Sequence, residues 1–368
     1  MLESLIERFG EPTVGLAAGA AFGLVFGVLA QRSRFCMRSA VIEVGRGKAG
    51  PSLALWLLAV GVAIAGVQGL VLAGIVNPET IRMLNGSGSL SGAALGGLLF
   101  GAGMVLARGC VSRLMVLSAA GNLRAVVTGL MFVGFAYATM KGPLGEARAA
   151  LAGLWQVEGA GALDLTRATG FGSIGAFVSG LVVIGVALAL GLRRGLGAGR
   201  IALGILIGAA VAGTYAFTAL LNSASFDPQP VRGLSFIAPA VNAVSGALAL
   251  PGGRIDFDMG LVPGVLAGAF LAALLSRSLK LEWFASPRVA LRYGLGAALM
   301  GFGGVLAGGC SMGNGVSGWA IYATGALVAL AAMWLGAILT DALVDRPAPA
   351  RAEPSLGSLE TASAAFRM

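Results

Sequence analysis

Histidine is absent from this chain of 368 residues. That excludes histidine-based metal sites, histidine general bases and an imidazole proton relay. Cysteine is scarce: Cys36, Cys110 and Cys310 are the complete set. None forms a CxxC pair, so a thioredoxin-like centre and a zinc knuckle lack their ligands, and the odd count leaves at least one free thiol. Charge is thin. Asp, Glu, Lys and Arg make up 11% of the chain, against about 25% in soluble proteins, too little to clothe a soluble surface. No GxxxxGK[ST] run is present, which removes the P-loop of an ATP-driven pump. No basic run interleaves with aromatics, so the net charge of +9 does not point to nucleic acid. The start, MLESLIERFGEP, is amphipathic and carries acids before the first apolar run, unlike a cleavable secretory signal.

Apolar residues are what the chain has, at 57%, with 60 glycines. A soluble globule of this make-up would expose large apolar patches. The apolar runs are continuous and do not alternate, which argues for helices over a transmembrane β-barrel. Nine runs reach membrane-spanning length: Thr13–Ala30, Leu53–Val76, Ser91–Ala107, Leu123–Met140, Phe171–Leu192, Ile201–Leu221, Met259–Leu275, Leu291–Ala307 and Tyr322–Leu343. Leu234–Leu250 is interrupted by Pro239, Asn242 and Ser245 and reads as a short re-entrant or interfacial element. The fold class is therefore an all-α membrane protein of about nine spans plus short re-entrant helices.

Basic clusters set the orientation. Arg32, Arg34, Arg38, Arg46 and Lys48 follow the first run; Arg193, Arg194 and Arg200 follow the fifth; Arg277, Lys280, Arg288 and Arg292 cluster between the seventh run and the start of the eighth. Nine crossings put all three clusters on one side. By the positive-inside rule the N-terminus is periplasmic and the C-terminus cytoplasmic. Residues 141–170 form a long outer loop of mixed charge, and 346–368 a mobile, Pro- and Ala-rich tail.

Two segments read alike: LGGLLFGAGMVLARGC and LGAALMGFGGVLAGGC, each followed by a short polar stretch and another apolar run. Cys110 and Cys310 hold the same place in them. The predicted architecture is two halves, 1–192 and 200–345, running in opposite directions as an inverted repeat. Such repeats place substrate where helices break near the membrane middle.

The cysteines carry the chemistry. Cys110 and Cys310 each end a glycine-rich helix of about 17 residues, short for a full span. Short helices over Ser112–Ala120 and Asn314–Tyr322 are predicted to follow. Their N-termini expose free N–H groups and partial positive charge, so two of them meeting make an anion site. Arg34 and Arg38 flank Cys36, and Arg108 and Arg113 flank Cys110; Gly109, Gly309, Ser311 and Asn314 complete the breaks. Thiols, backbone amides and guanidiniums suit a soft sulfur anion: a polarizable S–H meets a terminal sulfur, and amides meet sulfonate-type oxygens. A hard cation would need carboxylates, of which the predicted spans hold almost none. Soft metal ions fit three thiolates less well, given the surplus of arginine. No cofactor and no metal are expected.

FCMRSA, ARGC with its glycine-spaced lead-in, and GGCSMGNGVSG resemble the YeeE/YedE family of sulfur-compound transporters, from Thr13 to about Asp341. The resemblance implies an hourglass-like helical fold and thiosulfate uptake across the bacterial inner membrane. It further implies that Cys36, Cys110 and Cys310 line the path, and that thiosulfate passes between thiols by S–H···S hydrogen bonds without covalent exchange. A cytosolic sulfur carrier of the TusA type is implied as recipient, with membrane lipid as surroundings and no enzymatic activity. Alternatives differ in cargo (sulfite, sulfide or selenite) or in kind: a membrane thiol enzyme or sensor that transfers sulfur covalently. The lack of a CxxC pair speaks against the latter. A purely structural role would leave the costly glycine breaks without purpose.

Overall fold

The computed structural model describes residues 2–225, 229–248 and 255–346. Sixteen α-helices follow in order: α1 (Leu2–Phe9), α2 (Glu11–Ser33), α3 (Met37–Gly45), α4 (Pro51–Leu72), α5 (Leu90–Leu106), α6 (Val111–Ala119), α7 (Leu123–Lys141) and α8 (Gly145–Gly153). Then come α9 (Ala160–Leu163), α10 (Leu165–Ala168), α11 (Gly172–Arg193), α12 (Ala198–Ala224), α13 (Ile237–Ala247), α14 (Phe257–Leu275), α15 (Pro287–Leu306) and α16 (Thr324–Thr340). Short π-helical stretches cover Gly313–Gly318 and Asp341–Asp345.

Among the described residues nine segments are long and apolar enough to cross a membrane, and each overlaps one predicted run. The protein is a multi-pass, all-α membrane protein. Leucine, valine and isoleucine side chains of α11 such as Ile174, Val182 and Leu192 stay exposed, the belt that acyl chains require where no water is present. α13 has eleven residues, too few to span a bilayer alone.

Two sets of loops define opposite faces. On the first, Lys280 donates its backbone N–H to Ala120, Leu123 to Glu282, and Arg46 pairs with Asp341. On the second, Ile81 bridges to Val231, Asp164 to Ala323, and Leu90 bonds to Trp155. The 141–170 segment is more ordered than a plain loop: α8, α9 and α10 fold there. Its strand β2 (Gln156–Glu158) pairs antiparallel with β1 (Ser87–Ser89), and Ser89 and Ser91 hydroxyls donate to the Ala152 and Leu151 carbonyls. The sequence pattern missed this because its mixed charge hides short elements that are held by tertiary bonds.

Glycine sets how closely the spans approach. A Cβ on Gly23 of α2 would lie 2.2 Å from the Leu261 carbonyl oxygen, and one on Gly264 of α14 would lie 2.2 Å from that of Ala20. Only hydrogen fits at those positions. Backbones packed this tightly gain dispersion and Cα–H···O contacts, the main association forces where lipid is as apolar as leucine. α5 and α15 cross in the same way, at Gly96 against Gly303 and Gly103 against Gly296. The core is filled by aromatics, including Trp56 between Trp319 and Trp334, with ring centroids 6.0 and 5.4 Å away.

Asp345, at the head of the predicted mobile tail, is held by Arg292 at 2.9 Å and by Arg38 at 3.4 Å. Asp341 is 2% exposed and takes a two-pronged bond from Arg46, at 2.8 and 3.0 Å. Fork-to-carboxylate geometry of this kind fixes both partners. Residues 347–368 of the predicted tail lie outside the described residues.

Candidate functional site

The three cysteines share one local design. Each sits in a segment that runs from one face to the other and breaks partway. Before Cys36, α2 ends at Arg34 in the left-handed region, at φ 55°. Before Cys110, α5 gives way to Arg108 at φ 54°, and before Cys310, α15 gives way to Gly308 at φ 74°. In all three the left-handed residue stands two positions ahead of the thiol. At the latter two the closing bonds match: Gly109 N–H to Met104 and Arg108 N–H to Val105, then Gly309 N–H to Gly304 and Gly308 N–H to Val305. This is the paired-bond helix stop that a left-handed residue permits. Glycine adopts it freely, whereas arginine pays about 1–2 kcal/mol. Arginine at two of the three positions is therefore a costly choice, and both of these arginines line one chamber with Cys36.

Past the stop the chain restarts as helix. Cys36 is the N-cap residue of α3 and Cys110 that of α6, which begins at Val111, one residue ahead of the predicted start. After Cys310 the predicted helix over Asn314–Tyr322 is instead the π-helical Gly313–Gly318, followed by a turn in which Tyr322 takes φ 54°. Its three glycines explain the looser winding, because they weaken regular α-helix. Asn314 braces the stop from within, donating its side-chain amide to the Ala307 and Gly309 carbonyls at 3.2 and 3.0 Å. Its Oδ1 is buried without a partner.

The thiols differ in surroundings. Cys36 is half-buried, while Cys110 and Cys310 are 1% and 0% exposed. The Cys110 sulfur lies 3.3 Å from the Ser112 hydroxyl. The Cys310 sulfur accepts the Gly313 N–H at 3.4 Å. Ser311 is buried beside it.

Two chambers approach these breaks from opposite faces. The first-face chamber encloses about 320 Å³ and is lined by Cys36, Ser33, Ser39 and the guanidinium-bearing Arg34, Arg38, Arg108, Arg113 and Arg200. Four of these arginines were singled out from sequence, and the fold brings all four together. Arg200 was legible only as part of a loop cluster. Of the five, Arg38 alone faces a carboxylate within ion-pair distance, Asp345, among the described residues. One Arg113 nitrogen is buried with no partner. A surplus of guanidiniums over carboxylates, Arg38 and Arg113 half-buried and Arg34, Arg108 and Arg200 exposed, is a built anion field.

The second-face chamber, about 240 Å³, reaches the Cys310 break through Gly308, Gly309 and Gly313. Its cations are Arg82, Lys141, Arg148 and Arg232, with Met83 and Met140 as soft walls and Tyr215 and Ser317 as polar ones. Arg232 is tied to the buried Asp258 at 2.6 Å. Tyr215 donates its hydroxyl to the Ser317 carbonyl, and Ser317 donates to that of Leu234, which seats the 229–236 segment against the Cys310 turn. Sequence reasoning missed these four cations, since they come from four separate segments joined only by the fold. No group of three His, Cys, Asp or Glu side chains is placed to hold a metal ion among the described residues.

Fold and site thus define a polytopic α-helical membrane protein with a cation-lined chamber on each face and cysteine-bearing helix breaks between them. Comparison with known proteins narrows this. A family model described as "Sulphur transport" matches residues 32–339, and the chain belongs to that family, the YeeE/YedE family. It is a membrane transporter and not an enzyme. Two relatives carry the name thiosulfate transporter TsuA. The protein from Spirochaeta thermophila is 28% identical over 316 residues, covering 82% of this chain and 90% of its own length. The protein from Escherichia coli is 28% identical over 318 residues, covering 82% of this chain and 86% of its own.

Proposed function

We propose that this chain carries thiosulfate inward across the bacterial inner membrane, along a path lined by Cys36, Cys110 and Cys310. The observation that carries the reading is the cysteine break, used three times, between two cation-lined chambers. The name shared by the two relatives supports the choice of cargo.

Thiosulfate has two unlike ends. Its oxygens are hard acceptors suited to guanidinium forks and backbone N–H groups. Its terminal sulfur is soft and takes a weak S–H donor without demanding full desolvation of a strong one. On the second face Arg82, Lys141, Arg148 and Arg232 gather the dianion. Beyond the glycine turn it meets the Cys310 thiol, then Cys110, then Cys36, by successive S–H···S hydrogen bonds. No bond to sulfur forms or breaks, so no oxidant is consumed. Arg34, Arg38, Arg108 and Arg113 receive it in the first-face chamber. Shallow, repeated sites of this sort bind firmly enough to admit an ion and weakly enough to release it.

Orientation follows from charge. In this reading the first-face loops, which hold the clusters around Arg46, Arg193 and Lys280, face the cytoplasm, as the positive-inside rule favours. The first-face chamber is then where a TusA-like carrier would collect the product. Residues 1–192 and 200–345 act as inverted repeats in this reading. The reciprocal pairs Gly96 with Gly303 and Gly103 with Gly296 support it, because contacts i to j and j to i are the mark of a two-fold relation.

Uptake of radiolabelled thiosulfate into proteoliposomes holding the purified full chain tests the proposal. Thiosulfate should accumulate above empty liposomes and should be displaced poorly by sulfate, which lacks the terminal sulfur. Folded protein that moves no thiosulfate, or takes sulfate equally well, contradicts it.

A further inference from the structure

Among the described residues Asp258 is the one acid that lines the second-face chamber, in company with Arg82, Lys141, Arg148 and Arg232. It stands in the first turn of α14, and its side chain is 11% exposed. Arg232 Nη1 donates to Asp258 Oδ2 at 2.6 Å. Of the chamber's four cations, Arg232 alone among the described residues lies within ion-pair distance of a carboxylate. Its backbone is pinned. The Thr218 hydroxyl of α12 accepts the Arg232 N–H at 3.3 Å and lies 3.0 Å from the Arg232 carbonyl oxygen. The Arg232 side chain, 27% exposed, is therefore an arm on a fixed post that borders both the acid and the chamber. Other charges around α14 are placed differently. Asp256, its N-cap, lies 3.6 Å from Arg232, but its Oδ1 takes the Asn242 amide of α13 at 2.8 Å and the Met259 N–H. Asp256 and Glu11 of α2 line a neighbouring pocket. Arg113 of α6, which also packs on α14, lines the first-face chamber.

We propose that Asp258 is a proton-binding site linked to the cargo: when thiosulfate enters the second-face chamber, Arg232 leaves Asp258 for the oxygens of the dianion, and Asp258 takes up one proton. Two anions compete for one guanidinium, and the mobile one carries more charge. A guanidinium fork holds the sulfonate-type oxygens of thiosulfate as readily as a carboxylate. The carboxylate that loses the contest is left buried beside an incoming anion, where an unpaired charge is costly and a proton relieves it. In the exchange the hydrogen bond from Arg232 Nη1 to Asp258 Oδ2 breaks, an Oδ2–H bond forms, and the proton comes from second-face water. One negative charge is cancelled for each dianion admitted, so the chamber gains one unit of negative charge instead of two. The inference rests on this chamber being the entry site for thiosulfate and adds to that reading the ion bound with it.

The test uses the full chain. Labelled thiosulfate uptake by proteoliposomes is measured against external pH. Thiosulfate binding to the solubilised protein is followed by calorimetry in buffers of different ionisation enthalpy, which reports protons taken up. In wild type the apparent KM should weaken by about tenfold per pH unit, the slope of one proton bound with each anion, and calorimetry should show that proton. Asp258→Asn, nearly the same in shape, should bind thiosulfate with neither the slope nor the proton uptake, at a retained thermal midpoint. Asp256→Asn should keep both. Wild-type protein that takes up thiosulfate with a flat KM and no proton overturns the proton site, whatever the variants do, and leaves the cargo reading standing. Proton uptake that persists in folded Asp258→Asn, or that disappears in Asp256→Asn, overturns the assignment to Asp258. Folded protein that neither binds nor moves thiosulfate overturns both the site and the cargo reading.

Discussion

Gly103 of α5 and Gly296 of α15 cross with no side chain between them: a Cβ on Gly103 would lie 2.7 Å from the Gly296 carbonyl oxygen, and one on Gly296 would lie 2.8 Å from that of Gly103. Gly96 and Gly303 meet in the same way one heptad along, at 2.5 and 2.7 Å. Each helix runs directly into a cysteine break. The crossing therefore fixes where the Cys110 and Cys310 turns stand relative to each other.

Gly103→Val should push α5 and α15 apart, because the obstacle is backbone and cannot rotate away. The cost falls in the about 1–3 kcal/mol range of overpacked cores. A lower midpoint of thermal aggregation in detergent, together with lost uptake, is the expected outcome. An unaltered midpoint would mean that the helices do not pack as described. Gly129, which has open space around it, is the control: Gly129→Ala should leave the midpoint in place.

Arg108 separates backbone from charge. Its φ of 54° disfavours any side chain, so Arg108→Gly removes the guanidinium and relieves about 1–2 kcal/mol of conformational cost. Thermal stability should hold or rise. Uptake should weaken by about tenfold in apparent KM, the factor that corresponds to about 1.4 kcal/mol and to the loss of one charge-assisted hydrogen bond. If KM stays at the wild-type value, Arg108 serves only to end the helix.

Asn314 holds two carbonyls at the end of α15. Asn314→Leu leaves both buried without that donor, at about 1–3 kcal/mol. The Cys310 turn should loosen, and Cys310, fully buried at present, should begin to react with a membrane-permeant maleimide. Equal labelling of Cys310 in variant and wild type would count against the bracing role.

Asp341 and Arg46 tie the end of α16 to the end of α3. Arg46 is 41% exposed, and solvent screens such a pair, yet Asp341 is buried, so Asp341→Ala leaves a hole as well as an unpaired cation. An added protease should cut within α16 in the variant and leave α16 intact in the wild type. A cleavage pattern identical to wild type would show that the tie is dispensable.

Sequence and structure agree most closely where the signal is local. Thr13–Ala30, Leu53–Val76 and the seven other apolar runs each overlap one span, to within a few residues at the ends, since about twenty consecutive apolar residues suit a helix across lipid. The breaks at Cys110 and Cys310 were legible from Arg108, Gly109, Gly308 and Gly309, because glycine-rich helix followed by a polar stretch marks a stop. The left-handed Arg34 and Arg108 were not, as arginine carries no preference for that region. The chamber of Arg82, Lys141, Arg148 and Arg232 was invisible for another reason. Its members lie up to 150 residues apart (82 to 232), and no periodicity links them. The pairing of Asp258 with Arg232 likewise comes from the fold alone.

The most direct measurement is labelled thiosulfate uptake by proteoliposomes of Cys110→Ala beside wild type, at matched insertion. Cys110 is buried, its alanine variant removes one sulfur atom, and the flanking arginines stay in place. Uptake falling to the empty-liposome level, with the thermal midpoint retained, is the predicted result. Wild-type uptake by folded Cys110→Ala would contradict a thiol-lined path.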